Sequence, residues 1–215
     1  MSKILNDYTN VSLNAENLPE KVDFGEIFGR NGAVHVEIGC GKGTFILSEA
    51  REYPEANFLG IEWAGKYYRH AVDRIGRWGL GNVRIIRTDA AYFIARHLSD
   101  STVDSFHVYF PDPWPKKRHH KRRFLRGVNM EQMVRCLKPG GVINIASDHA
   151  DYFEQITAVI EAEAAAGRVE MIKFTRAAGA AEGEIVGTNY ERKYLVEGRE
   201  TYTAAVRKSP CMDGL

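Results

Sequence analysis

The sequence predicts an α/β fold: one seven-stranded, mostly parallel sheet with helices on both faces. Three observations predict it. Apolar runs rich in Val and Ile alternate with segments of helical period, the pattern left when helices cover both sides of a parallel sheet. The first run passes straight into a glycine-rich turn that opens a helix, as open α/β sheets do where they receive a ligand. At 215 residues, 44% of them hydrophobic, the chain suits a single domain: an arm at 1–30, an α/β core at 31–207 and a tail at 208–215.

Taken in order, strands are expected at 33–38, 57–62, 83–87, 103–109, 142–147, 169–174 and 201–207. Helices are expected at 43–51, 64–78, 90–97, 123–137 and 149–166, each closed by Gly, Pro or a polar cluster. Leu137-Lys138-Pro139-Gly140-Gly141 reads as a helix stop and a turn into the next strand, since proline cannot continue a helix. Two stretches stand outside the alternation. Residues 1–30, with a weak helix at 24–28, read as an arm laid on the domain. Residues 176–188, containing Ala177-Ala178-Gly179-Ala180-Ala181-Glu182-Gly183, look too small to hold a core position and read as a mobile loop.

Composition narrows the function. No apolar run reaches the roughly 18 residues that span a bilayer, and the polar opening from Met1 to Asn10 lacks a signal-peptide layout. A cytoplasmic protein with no membrane partner is therefore expected. Cys40, Cys136 and Cys211 form no Cys-x-x-Cys pair, so neither a disulfide framework nor a zinc site is expected. The net charge of +1 conceals a local imbalance. Seven of the 29 Lys and Arg residues fall within the eleven positions 116–126, which hold no acid, leaving 22 basic against 28 acidic residues elsewhere. A cationic island on a mildly acidic body points to a polyanionic partner.

The candidate chemistry sits at strand ends. Glu37-Ile38-Gly39-Cys40-Gly41-Lys42-Gly43 spaces its glycines as Gly-x-Gly-x-Gly, unlike the Gly-x-Gly-x-x-Gly of dinucleotide binders. With Glu37 ahead of it, the turn favours S-adenosylmethionine over NAD, and Gly39 and Gly41 let backbone approach that ligand. Glu62 ends the second strand about 20 residues later, where an ionised acid takes both hydroxyls of a ribose. Asp89 ends the third, suited to cap the next helix or to accept an adenine amine. Glu37, Glu62 and Asp89 would line one crevice around a methionine amine, a ribose and an adenine.

The fourth strand ends in Tyr109-Phe110-Pro111-Asp112-Pro113-Trp114-Pro115, an acid held between prolines that stiffen the loop. Such a carboxylate suits the N1–H and amino group of a guanine, with aromatic faces to stack on the base. The island follows at once. Lys116, Lys117, Arg118, Lys121, Arg122 and Arg123 suit phosphates, and His119 and His120 face solvent or phosphate rather than a metal. Asp148 in Ser147-Asp148-His149 reads as a helix cap or a substrate contact. In Thr188-Asn189-Tyr190-Glu191, Thr188 or Asn189 caps a helix and Glu191 faces its positive end.

The motif at 37–43, Gly60-Ile61-Glu62, the run from Phe110 to Arg123 and Thr188 to Glu191 together resemble the tRNA (guanine-N(7)-)-methyltransferase family, over about 14–202. The proline-framed Asp followed by the basic run is the most distinctive part. The resemblance implies a Rossmann-like class I methyltransferase, monomer or homodimer, that uses S-adenosylmethionine to convert the variable-loop guanosine of tRNA to 7-methylguanosine. It implies that Glu37, Glu62, Asp89 and Asp112 serve the cofactor and catalytic site, and that Lys116, Asp148 and residues 188–191 contact substrate. It further implies that Arg118 to Arg123 contact RNA. Cys40 and Ser147 are small departures that touch none of this chemistry. An NAD-dependent oxidoreductase would leave the island without a task, and a noncatalytic RNA-binding protein would leave the strand-end acids idle. A methyltransferase acting on a guanine amine or on ribosomal RNA is the nearest competitor.

Overall fold

The computed structural model describes residues 5–210, so Cys211 and most of the tail expected at 208–215 lie outside the described residues. Eight strands form one sheet: β1 (Ser12–Leu13), β2 (Val34–Ile38), β3 (Asn57–Ile61), β4 (Val83–Ile86), β5 (Val103–Tyr109), β6 (Leu137–Ser147), β7 (Val169–Ile172) and β8 (Tyr202–Lys208). Their order is β1-β4-β3-β2-β5-β6-β8-β7, and among the described strands β8 alone runs against the rest. Helices α1 (Phe24–Phe28), α2 (Thr44–Glu52), α3 (Gly65–Trp78), α4 (Ala90–His97), α5 (Gly127–Cys136), α6 (Ala150–Ala165) and α7 (Asn189–Val196) complete the chain. None of them is long and apolar enough to cross a membrane.

Alternate strand residues sort to opposite faces, as the two-residue strand period requires. Phe58 of β3 joins Ile46, Ala71 and Ile75 from α2 and α3, while Leu59 and Ile61 join Phe93, Met133 and Tyr152 from α4, α5 and α6. β2 lies at the centre. From it the chain proceeds to β3 and β4 on one side, then crosses back to β5 on the other. That reversal leaves a crevice at the carboxyl ends of β2 and β5, where open sheets bind ligands.

All seven expected strands and all five expected helices form. Three findings differ from the sequence reading. The eighth strand, β1, is two residues long and carries no period, yet Ile85 donates its N–H to the carbonyl of fully buried Val11 at 2.8 Å, so the arm is stitched to the sheet. The Leu137-Lys138-Pro139-Gly140-Gly141 segment does stop α5, but no separate turn follows. Strand β6 starts at Leu137, opposite Val103, and a register shift absorbs the Pro-Gly-Gly before Val142 pairs with Ser105.

The third correction is the segment 176–188. Ala177, Ala180 and Val186 are buried against Phe45, Tyr109 and Phe110. A Cβ at Gly179 would come within 2.6 Å of Ser48 Cβ, and the Gly179 N–H donates to Glu49 Oε1 at 2.7 Å. The residues are small because the segment packs closely on α2. Smallness here marks contact, not slack.

Candidate active site

The Gly-x-Gly-x-Gly spacing is a backbone requirement. Gly39, Gly41 and Gly43 take φ of 71°, 56° and 67°, where side-chain-bearing residues are strained. The freed space brings backbone to Glu62, whose Oε2 accepts from the Gly41 N–H at 2.8 Å and whose Oε1 accepts from the Ala64 N–H at 2.6 Å. The Trp63 N–H also bears on it, and with about four acceptor positions the carboxylate keeps room for a further donor. Burial raises the Glu62 pKa, the Ala64 and Gly41 amides oppose the rise, and the Asp112 charge adds to it. Glu37 lies deeper. It is 5% exposed, its Oε2 is buried without a hydrogen-bond partner, and burial, helped by the Glu62 charge, pushes its pKa up to about 8.

Glu37 and the glycine turn line a cavity of about 370 Å³ together with Thr188, Asn189 and Tyr190. Glu62, Asp89, Asp112 and Asp148 line a second of about 420 Å³. Gly39, Gly41, Tyr67, Tyr109 and Tyr190 border both, so the two are halves of one crevice at the reversal of strand order. The proline-flanked aspartate therefore faces the same space as the glycine turn.

Around that space each expected residue takes a defined place. Asp89 caps α4, its Oδ1 accepting from the Tyr92 N–H at 2.8 Å, while it also lines the crevice. Asp112 is exposed on a loop whose flanking residues Phe110 and Trp114 hold φ of 51° and 43°. Bulky residues adopt that region only when the surroundings over-determine it. Here the Phe110 N–H is tied to the Ala146 carbonyl at 2.8 Å, and half-buried Trp114 stands edge-on to His119 beneath the Arg122 guanidinium. Trp114 belongs to the crevice rim, not to the core. Asp148 does not cap α6. His149 does, and Asp148 instead receives Arg199 Nη1 at 2.9 Å.

Two assignments are corrected. Thr188 caps α7, but Glu191, 1% exposed, turns its carboxylate back onto the N–H groups of Ile185, Val186 and Gly187. With three of about four acceptor positions taken by backbone and almost no exposure, its carboxylate serves the chain rather than the crevice. Arg123 is not a surface cation: it is 2% exposed, donates to the Pro113 carbonyl at 2.7 Å, to Gln155 at 2.9 Å and to Asp151, and lies over the Tyr152 ring. It anchors the Asp112 loop to α6. The true island is Lys116, Lys117, Arg118, Lys121 and Arg122, all exposed, with His119 and His120 half-buried among them.

The sequence reading missed Tyr67, Arg74 and Arg199, and took Tyr109 only as part of the aromatic surroundings of Asp112. Tyr67 and Arg74 stand seven residues apart on α3, a spacing that places both on one helix face. The Tyr109 hydroxyl meets His107 Nδ1 at 2.9 Å, and His107 continues to His35 at 3.2 Å. Burial and the Tyr67 phenol push Tyr190 up to about 12.

A family model, Methyltransf_4, described as "Putative methyltransferase", matches residues 31–204. A tRNA (guanine-N(7)-)-methyltransferase of Alkalilimnicola ehrlichii is 34% identical over 88% of this chain and 78% of its own length. One of Rhodopirellula baltica is 40% identical over 65% of this chain, and the match spans about half, 53%, of that relative. The crystal structure of the 16S rRNA methyltransferase KamB aligns with a TM-score of 0.60 at 16% identity, over 89% of this chain and 96% of KamB, which shows a shared fold. With a methyltransferase sheet, a glycine turn and strand-end acids on one crevice, and relatives at this identity, the chain belongs to the tRNA (guanine-N(7)-)-methyltransferase family.

Proposed function

We propose that this chain transfers the methyl group of S-adenosylmethionine to N7 of a guanine in tRNA, the variable-loop guanosine, giving 7-methylguanosine. The observation that carries the reading is that Asp112 and the glycine turn face one crevice, with the cationic island beginning four residues beyond Asp112. The residues fit the donor. Buried, unpartnered Glu37 Oε2 suits its ammonium, the Glu62 lone pairs suit ribose hydroxyls, and Asp89 suits the adenine amine. Gly39 and Gly41 remove the side chains that would stand in the way.

When bound, the donor supplies an electrophilic methyl group. Guanine N7 carries a free lone pair, so no proton has to be removed first and no strong base is needed. The chain's part is alignment and charge. Asp112 accepts the guanine N1–H and amino group and offsets the positive charge that gathers on the purine. Lys116, Asp148, Asn189 and Tyr190 form the substrate wall, and Lys117, Arg118, Lys121 and Arg122 hold phosphates. Incubating unmodified tRNA with the protein and S-adenosylmethionine should yield 7-methylguanosine on nucleoside analysis; methylation of a guanine amine alone, or none, removes the reading.

Neutralising Lys116, Arg118, Lys121 and Arg122 together should weaken tRNA binding and flatten its dependence on salt by about 0.7–0.9 log units of slope for each phosphate that is no longer neutralised. An unchanged slope would place the RNA elsewhere. Glu37 makes a second expectation. Because its folded pKa is raised to about 8, the ligand-free chain holds a proton there that the unfolded chain releases near 4.5, so at this group stability falls as pH rises through that window. An ammonium arriving beside it favours the carboxylate, so binding S-adenosylhomocysteine at pH 7 should release a proton. Calorimetry in buffers of different ionisation enthalpy reads this directly, and Glu37→Gln should abolish the release.

A further inference from the structure

The cavity beside the glycine turn is lined by an acid and by a cation that do not pair with each other. The acid is Glu37, with Oε2 buried and unpartnered. The cation is Arg74 of α3, a half-buried guanidinium that meets no carboxylate among the described residues and donates one hydrogen bond, from Nη1 to Thr44 Oγ1. Burial and, after it, Arg192 disfavour its charge, and the cations Lys42 and Lys193 line the same cavity. Thr44 opens α2, a nine-residue helix whose N-cap, Gly43, supplies no capping side chain and whose first turn holds no acid. The Ile46 N–H in that first turn is already met by Glu37, and the Arg74 guanidinium is left without an anionic partner among the described residues, on a cavity whose acid suits a cation.

Ligands that carry an ammonium and a carboxylate on one carbon are α-amino acids, and the donor ends in one. Resting on the reading above, we propose that Arg74 binds the carboxylate of the donor's methionine end while Glu37 takes its ammonium, so that the cavity selects a zwitterion. A guanidinium presents two parallel N–H donors to a carboxylate, and such pairs are the stronger kind of hydrogen bond. Tyr67, two turns earlier on the same face of α3, and Tyr190 also line the cavity.

The test measures binding of three ligands by calorimetry: S-adenosylhomocysteine, its decarboxylated analogue, and 5′-methylthioadenosine, which lacks the amino-acid end. Arg74→Met should weaken S-adenosylhomocysteine roughly 10- to 100-fold, leave the decarboxylated analogue within about threefold, and leave 5′-methylthioadenosine unchanged, the last showing an intact fold. Arg74→Lys should restore part of the loss. If Arg74→Met discriminates between the first two ligands as strongly as the unaltered protein, the proposal is overturned while the donor reading stands. A variant that instead weakens tRNA binding alone assigns Arg74 to RNA and also overturns it. Failure of the unaltered protein to bind S-adenosylhomocysteine at all overturns both.

Discussion

Asp112→Ala is expected to lower kcat for methyl transfer about 100- to 1,000-fold while changing S-adenosylhomocysteine affinity by less than about threefold. The size follows from how the carboxylate is held. Pro111, Pro113 and Pro115 restrict the loop, Phe110 and Trp114 are locked in a left-handed backbone, and Arg123 grips the Pro113 carbonyl at 2.7 Å. A charge fixed before the base arrives costs no reorganisation during reaction, which is where electrostatic catalysis gains most. Asp112→Asn keeps the shape and a hydrogen-bond acceptor but loses the charge that follows the purine, so its loss should lie between that of Ala and none. Single-turnover rates separate chemistry from product release; an unaltered rate in Asp112→Ala would remove the residue from the reaction.

Glu191→Ala should be the most damaging single change to stability among the residues that the sequence assigns to substrate. Its carboxylate satisfies three N–H groups in a row, from Ile185, Val186 and Gly187, in a place with almost no water. Removing it strands those donors, at about 3–5 kcal/mol, or roughly 6–20 °C in Tm for a chain of this size. The loss should begin locally. Segment 176–188 depends on these bonds and on the Glu184–Arg192 ion pair, so limited proteolysis should cut there first. Because Thr188 to Tyr190 line the crevice, affinity for S-adenosylhomocysteine should fall with it. Glu191→Gln should be nearly as harmful, since its amide places a donor against donors. A variant as stable and as protease-resistant as the parent would mean that the carboxylate does not hold the segment.

Much of the site was legible because its parts answer local demands. A left-handed turn calls for glycine at Gly39, Gly41 and Gly43 whatever surrounds it. An acid at a strand end is aimed at the crevice by the strand alone, which is why Glu62 and Asp89 lie where their spacing placed them. Prolines around Asp112 restrict its loop without tertiary help. The length of β6 was less legible, because a Pro-Gly-Gly that looks like a turn can be absorbed as a register shift when a neighbouring strand supplies the partners.

Burial is where local reading failed. Arg123 is chemically indistinguishable from Arg122 in a run of cations, yet one stacks over Trp114 at the surface and the other over Tyr152 inside. What separates them is α6, whose Asp151 and Gln155 lie about 30 residues further along the chain. In the same way, 176–188 looks slack until α2 is set against it.

By itself, then, the amino-acid order determined the alternating layers, the glycine turn, the acids at the strand ends and the cationic strip, since backbone conformation, period and charge are properties of neighbours in the chain. Only the tertiary structure decided which cation is buried, which acid serves the backbone instead of a ligand, and that Glu37 and Arg74 share a cavity. Desolvation and charge pairing depend on what comes alongside in space, and residues far apart in the chain carry no mark of it until they meet.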